Sequence, residues 1–154
     1  MVDYWHFAYG SNLDPTRKEN RTGRIREDEP PKRARLPNYR FAFNKIKSPE
    51  KKTGYANIVP DSGAEVWGVI FRMSDVKLDD MDGYEGVPTN HYRRKIISVF
   101  TDDGEPHEAI TYVAHDDKMQ DDLKPEGWYL NHIIIGAKHY DLPPEYISEI
   151  EKLA

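Results

Sequence analysis

Apolar positions along this chain come in short alternating or continuous bursts more often than at helical spacing. Aromatic and β-branched runs predict strands at residues 4–9, 34–44 (interrupted by Pro37), 55–59, 66–73, 92–101 and 108–115. The run Val66-Trp67-Gly68-Val69-Ile70-Phe71 is apolar on both faces, which predicts a central strand. Asp102-Asp103-Gly104-Glu105 reads as the turn of a hairpin between the last two strands. Helical spacing predicts Asp75–Tyr84, Gly127–His139 and Pro144–Leu153, the second weakened by Gly136. Asp14-Pro15 adds a helix start, with Asp as cap and Pro at the first helical position. Strands outnumber helices and are joined mainly by short turns. The expected fold is α+β: a curled or closed, antiparallel-rich sheet with helices packed around it. No repeat or low-complexity tract divides the chain, and Pro30-Pro31 and residues 48–52 read as loops. Residues 1–154 are therefore expected to form one domain.

One stretch breaks the pattern. From Asp14 to Arg24 there is no apolar side chain, so this helix cannot bury a face of its own and is expected to be exposed or to rest on a partner. Charge is uneven in the same sense: residues 14–40 hold nine Lys and Arg against five Asp and Glu, residues 101–154 four against thirteen. The basic stretch has no aromatic residue between Asp14 and Asn38 on which a base would stack, and reads as a solvated helix face and connector rather than an RNA surface. The net charge of −5 over 154 residues points the same way, so no nucleic-acid partner is expected. The chain has no cysteine, which excludes disulfides, thiolate catalysis and cysteine zinc sites. It shows neither a signal-peptide pattern nor an apolar run long enough to span a bilayer, so the expectation is a cytoplasmic protein with no membrane partner.

Two places carry candidate chemistry. Tyr9-Gly10-Ser11-Asn12-Leu13 lies between a strand and a helix start, where several backbone N–H groups and the positive end of the helix dipole converge. Such a turn can hold a carboxylate or an oxyanion, although capped turns of this composition are also common without a ligand. The second place is the end of the helix Asp75–Tyr84. Leu78 and Met81 are three apart and Glu85 is four further on, so continued helical geometry would put this glutamate on the apolar face, whereas a stop at Gly83 would leave it in a loop. On the apolar face, desolvation would raise its pKa toward the range of a general base. Asp80-Met81-Asp82-Gly83 opens like a calcium loop, but the later ligands have the wrong spacing. His107 and His115, at the ends of one strand, have no carboxylate cluster at a fitting spacing, so no metal is expected.

Three segments in order resemble the γ-glutamylcyclotransferase family, including its butirosin-biosynthesis and AIG2-like relatives. They are Phe7-Ala8-Tyr9-Gly10-Ser11-Asn12-Leu13; the strand Glu65-Val66-Trp67-Gly68-Val69-Ile70-Phe71 with the helix from Leu78 to Glu85; and Ile133-Ile134-Ile135-Gly136-Ala137-Lys138 followed by Leu142-Pro143-Pro144-Glu145-Tyr146. The resemblance implies a small mixed β-barrel with flanking helices and the cyclisation of an L-γ-glutamyl group to 5-oxoproline with release of the attached amine. It implies Glu85 as the catalytic base and then acid, residues 9–13 as the substrate loop, and no cofactor. Tyr92 and Tyr112 fall where the family tends to place tyrosines, and with Tyr9 they are candidates to orient the substrate; with ten tyrosines in the chain each also reads as a core residue with a satisfied hydroxyl, Tyr112 less so than the others. The helix after Leu13 is more polar than the family's usual one, which leaves room for an oligomer contact such as a homodimer. Thr89, Asn90 and His91 are candidates for the leaving-group side. The alternatives are a cyclotransferase for γ-glutamyl amines, glutathione or a γ-glutamyl-protected metabolite, and a non-catalytic binding domain of the same fold.

Overall fold

A computed structural model describes residues 2–154. Five strands, β1 (Asp3–Ala8), β2 (Lys32–Ser48), β3 (Thr53–Ser74), β4 (Tyr92–Thr101) and β5 (Pro106–Ala114), close into a barrel in the order β1-β3-β2-β4-β5. Two hairpins, β2–β3 and β4–β5, supply most of the pairing and are joined where Ala34 meets Thr101. β1 runs antiparallel to β3, from Asp3 opposite Ser74 to Ala8 opposite Val69, and closes the barrel through a parallel contact of His6 with Ile110. This is the small mixed barrel that the family resemblance implies, and it closes the antiparallel-rich sheet that the residue pattern predicts. β3, with its Val66–Phe71 run, sits between β1 and β2, and Val66, Val69 and Ile70 are fully buried.

The strands predicted at 55–59 and 66–73 are one strand, and the Pro37 interruption in β2 does not end it. Both departures have one cause. The register between β2 and β3 breaks between Pro37 and Tyr39, and residues 61–64 bulge outward from β3 at that point. Asn38 takes a left-handed conformation (φ 64°) and its side-chain oxygen accepts the N–H of Gly63 (φ 87°) at 3.1 Å. A bulge accepts a residue with no N–H to give and lets two long strands bend around the barrel.

The helices are α1 (Pro15–Thr22), α2 (Asp75–Tyr84), α3 (Gly127–His139) and α4 (Pro144–Leu153). The last three have the predicted bounds. Asp14 caps α1 by accepting the Thr16 N–H at 3.0 Å and also meets His132 Nδ1 of α3 at 2.7 Å. α1 is not the free polar helix that its sequence suggests. It rests on α2 and on the barrel of its own chain through a polar face, with Lys18 and Thr22 buried. α3 buries Ile133, Gly136 and Ala137. Gly136, a weak point by helix propensity, is required by packing: a Cβ there would lie 2.1 Å from the Leu13 carbonyl carbon. No helix among the described residues is long and apolar enough to cross a membrane.

Candidate active site

At one mouth of the barrel a cavity of about 150 Å³ is lined by the turn after β1, by α1, the end of α2, and the starts of β3 and α3, with His6, Tyr92, Thr111 and Tyr112 from the barrel wall. Its volume is that of roughly five waters in the liquid, enough for one amino-acid-sized group.

Glu85 reaches this cavity because helical geometry persists past the formal end of α2. Its backbone is right-handed (φ −85°, ψ 0°) and its N–H donates to the Met81 carbonyl at 2.9 Å, so it falls one turn beyond Met81, on the face of Leu78 and Met81, both fully buried. The carboxylate accepts the Asn12 side-chain N–H at 3.1 Å. Burial raises its pKa; the charge of Arg21, the Asn12 hydrogen bond and the charges of Arg17 and Lys45 pull the other way, and burial prevails.

The predicted substrate turn divides into two parts. Ser11–Leu13 forms a single 3₁₀ turn in which the Leu13 N–H donates to the Gly10 carbonyl at 3.0 Å. Leu13 is fully buried beneath Gly136 of α3 and does not line the cavity; its N–H and side chain anchor the turn, which corrects its expected substrate contact. Gly10, Ser11 and Asn12 do line the cavity. The N–H groups of Ser11 and Asn12 have no intramolecular acceptor among the described residues. At Gly10 a Cβ would come within 3.2 Å of Ala56 Cβ and 3.6 Å of the Tyr129 hydroxyl, both cavity-lining residues.

Tyr9, Tyr92 and Tyr112 all line the cavity, but their hydroxyl protons are committed to the protein. Tyr9 donates to the Tyr112 carbonyl at 2.6 Å, Tyr92 to the Ala56 carbonyl at 2.6 Å, and Tyr112 to Asp82 at 2.7 Å. Burial raises all three pKa values, so they stay neutral phenols. Thr89, Asn90 and His91 are not part of this wall.

Arg17 and Arg21 line the cavity from α1, in the segment expected to be solvated. Arg17 Nε donates to Ser11 Oγ at 3.0 Å and Arg21 to the Asn12 side-chain oxygen at 3.2 Å. Asn12 thus links a cation to the half-buried carboxylate. The available signal was the four-residue spacing of the arginines directly after the turn, which stacks them on one helix face. Tyr129 was also missed; its hydroxyl accepts the Ala56 N–H at 3.0 Å. So was His6, buried on the cavity floor, which burial holds neutral and whose Nδ1 has no partner among the described residues. Among the described residues no group of three or more His, Asp or Glu gathers to hold a metal. The cavity therefore sets a desolvated carboxylate beside two arginines and two unused amides. This suits an anionic substrate whose amine protons must be moved in turn.

The AIG2-like family model matches residues 65–150. The bovine protein named gamma-glutamylcyclotransferase is 30% identical over 157 aligned positions, spanning 97% of this chain and 78% of the relative, and the human protein of the same name is 29% identical over the same shares. A solved structure titled gamma-glutamyl cyclotransferase superimposes with a TM-score of 0.84 at 27% identity, covering 99% of this chain and 89% of that one.

Proposed function

This chain belongs to the AIG2-like family, and on that premise we propose that it is a γ-glutamylcyclotransferase, converting an L-γ-glutamyl group to 5-oxoproline and releasing the attached amino acid or amine. The substrate's α-ammonium loses a proton to Glu85, and the freed amine attacks the γ-carbonyl carbon. The new C–N bond gives a tetrahedral intermediate whose oxygen carries the negative charge. The proton held by Glu85 passes to the leaving nitrogen as the old C–N bond breaks, and the second proton, still on the ring nitrogen, then passes through Glu85 to the released amine, which departs as ammonium. One carboxylate with a raised pKa serves as base and then acid. Ser11 and Asn12 N–H groups suit the developing oxyanion, and Arg17 and Arg21 suit the substrate carboxylate. Holding the flexible glutamyl chain in its ring-closing conformation supplies much of the acceleration.

The observation that carries this reading is the Glu85 carboxylate, desolvated in the cavity and oriented by Asn12 of the turn. A non-catalytic binding domain would gain nothing from burying an acid that burial makes costly to ionise. The test is incubation with L-γ-glutamyl-L-alanine and chromatography for 5-oxoproline. Product is expected from the native chain and not from Glu85→Gln. A well-folded native chain that yields no 5-oxoproline from this substrate, from γ-glutamyl amines or from glutathione would refute the assignment.

A further inference from the structure

A second cavity, of about 170 Å³, opens beside the next face of α1, between the end of that helix, residues 71–74 of β3 and the start of α2. Its wall carries Lys18, Arg24, Arg26, Arg72 and Lys77 and no acidic side chain. The three arginines are paired with carboxylates outside that wall: Arg24 with Glu27 at 3.1 Å, Arg26 with Asp3 at 2.7 Å and Asp28 at 2.6 Å, and Arg72 with Glu29 at 3.0 Å. Arg72 Nε, although that close to Glu29, is buried without a hydrogen-bond acceptor. Lys18 and Lys77 have no carboxylate within ion-pair distance among the described residues. Lys18 is only 3% exposed; its Nζ reaches Thr22 Oγ1 at 3.3 Å and Met73 Sδ at 3.0 Å, above the Phe71 ring. A hydroxyl and a thioether leave part of an ammonium's donor capacity unused.

We propose that this cavity binds a small doubly charged oxyanion, inorganic phosphate or the phosphate of a small organic monoester, between Lys18 and Lys77. Burying an amine with no anion beside it weakens the fold, and an anion in the cavity removes that penalty by supplying the missing charge. The other groups facing Lys18 do not supply it. His6 from β1 is held neutral, and Lys77 from α2, Arg72 from β3, and Arg24 and Arg26 from the following loop are cationic. Burial, with Lys77 adding repulsion, brings the Lys18 amine down to about 7. Above that pH the anion therefore binds with uptake of a proton at Lys18.

Calorimetric titration of the full chain with inorganic phosphate, glycerol phosphate and sulfate tests the site. One anion per chain is expected, with proton uptake at pH 8.5 read from buffers of different ionisation enthalpy. Sulfate, whose charge is fixed over this range, should bind more tightly at pH 6.5 than at pH 8.5. Lys18→Met should weaken phosphate binding by about tenfold or more and abolish the proton uptake. Lys77→Met, an exposed change that leaves the core untouched, should weaken it as well. Preference for glycerol phosphate over phosphate, or the reverse, says which source the site serves. Absence of saturable binding would overturn the proposal. So would binding that survives Lys18→Met and Lys77→Met but is lost in Arg21→Met, which would put the anion in the catalytic cavity.

Discussion

Glu85, half-buried in its cavity, and Lys18, buried, both have pKa values shifted by desolvation, and their effects on stability run in opposite directions with pH. The Glu85 pKa is higher in the folded chain than in the unfolded one. Its contribution to stability is therefore fully present below the ordinary carboxylate range and is lost as pH rises through the folded value. Glu85→Gln keeps the size and can still accept the Asn12 hydrogen bond. It should melt at a higher temperature than the native chain at pH 8, with the difference closing as pH falls to about 4. The same variant should lose roughly 10²–10⁴-fold or more in kcat. A less stable Glu85→Gln at pH 8 would mean that the carboxylate is held ionised by Arg17 and Arg21 rather than desolvated. In the native enzyme the acid limb of the kcat/KM profile should report a pKa above the ~4.3 of a free glutamate. Lys18 has its pKa depressed, so its contribution is present above the ordinary lysine value and is lost as pH falls toward about 7. In anion-free buffer Lys18→Met should gain stability over the native chain at pH 6, and the gain should disappear near pH 10.5. Melting curves of the two variants across pH separate these opposite slopes. Arg21→Met should raise KM more than it lowers kcat, by about tenfold or more, if Arg21 holds the substrate carboxylate. An unchanged KM would remove Arg21 from that role.

Between elements, the contact that fixes the site is the one between α3 and the turn after β1. Leu13 has to be driven into the core for Ser11 and Asn12 to stand with their N–H groups unused, and Gly136 leaves the room for it. Gly136→Ala improves helix propensity by about 1 kcal/mol in isolation, yet here its Cβ would overlap the Leu13 backbone at 2.1 Å. Overpacking of this kind typically costs about 1–3 kcal/mol. The variant should melt roughly 2–10 °C lower and lose activity out of proportion to its unfolded fraction, because the turn must shift to admit the methyl. Activity that fell only in step with stability would show that the turn tolerates the shift. This contact also shows where sequence reading succeeds and stops. The bounds of α2, α3 and α4 were legible because their apolar spacing is local, and so was the Asp14 cap. Gly136 looked like a helix flaw because its reason lies at Leu13, more than a hundred residues away. The fusion of two predicted strands into β3 was hidden because residues 60–63 face solvent and carry no pattern. Arg17 and Arg21 were read as solvent-facing because charge predicts exposure, and only the packing of α1 on α2 turns that face inward.

At the scale of the whole molecule, the Glu85 cavity draws its walls from every strand except β2 and from every helix except α4, between positions 6 and 129. No contiguous segment holds Glu85, Asn12 and Arg21 in place. Asn12 meets Glu85 only because β1 and the end of β3, which leads directly into α2, pair side by side, and α3 seals the turn from above. The barrel is in turn closed by the short parallel seam of β1 on β5. Loss of that seam would release the turn, α1 and the cavity floor together. Catalysis should therefore depend on the cooperative fold as a unit. In a urea titration, 5-oxoproline formation and far-ultraviolet circular dichroism should fall with the same midpoint, and saturating substrate should move both midpoints upward together, since the ligand binds only the folded chain. Activity lost at a clearly lower urea concentration than the dichroism would identify a part that opens first. The polar face of α1, which contributes Arg17 and Arg21 to one cavity and Lys18 to the other, is where that opening would begin. Adding phosphate should then bring the two midpoints back together in the native chain and leave them apart in Lys18→Met.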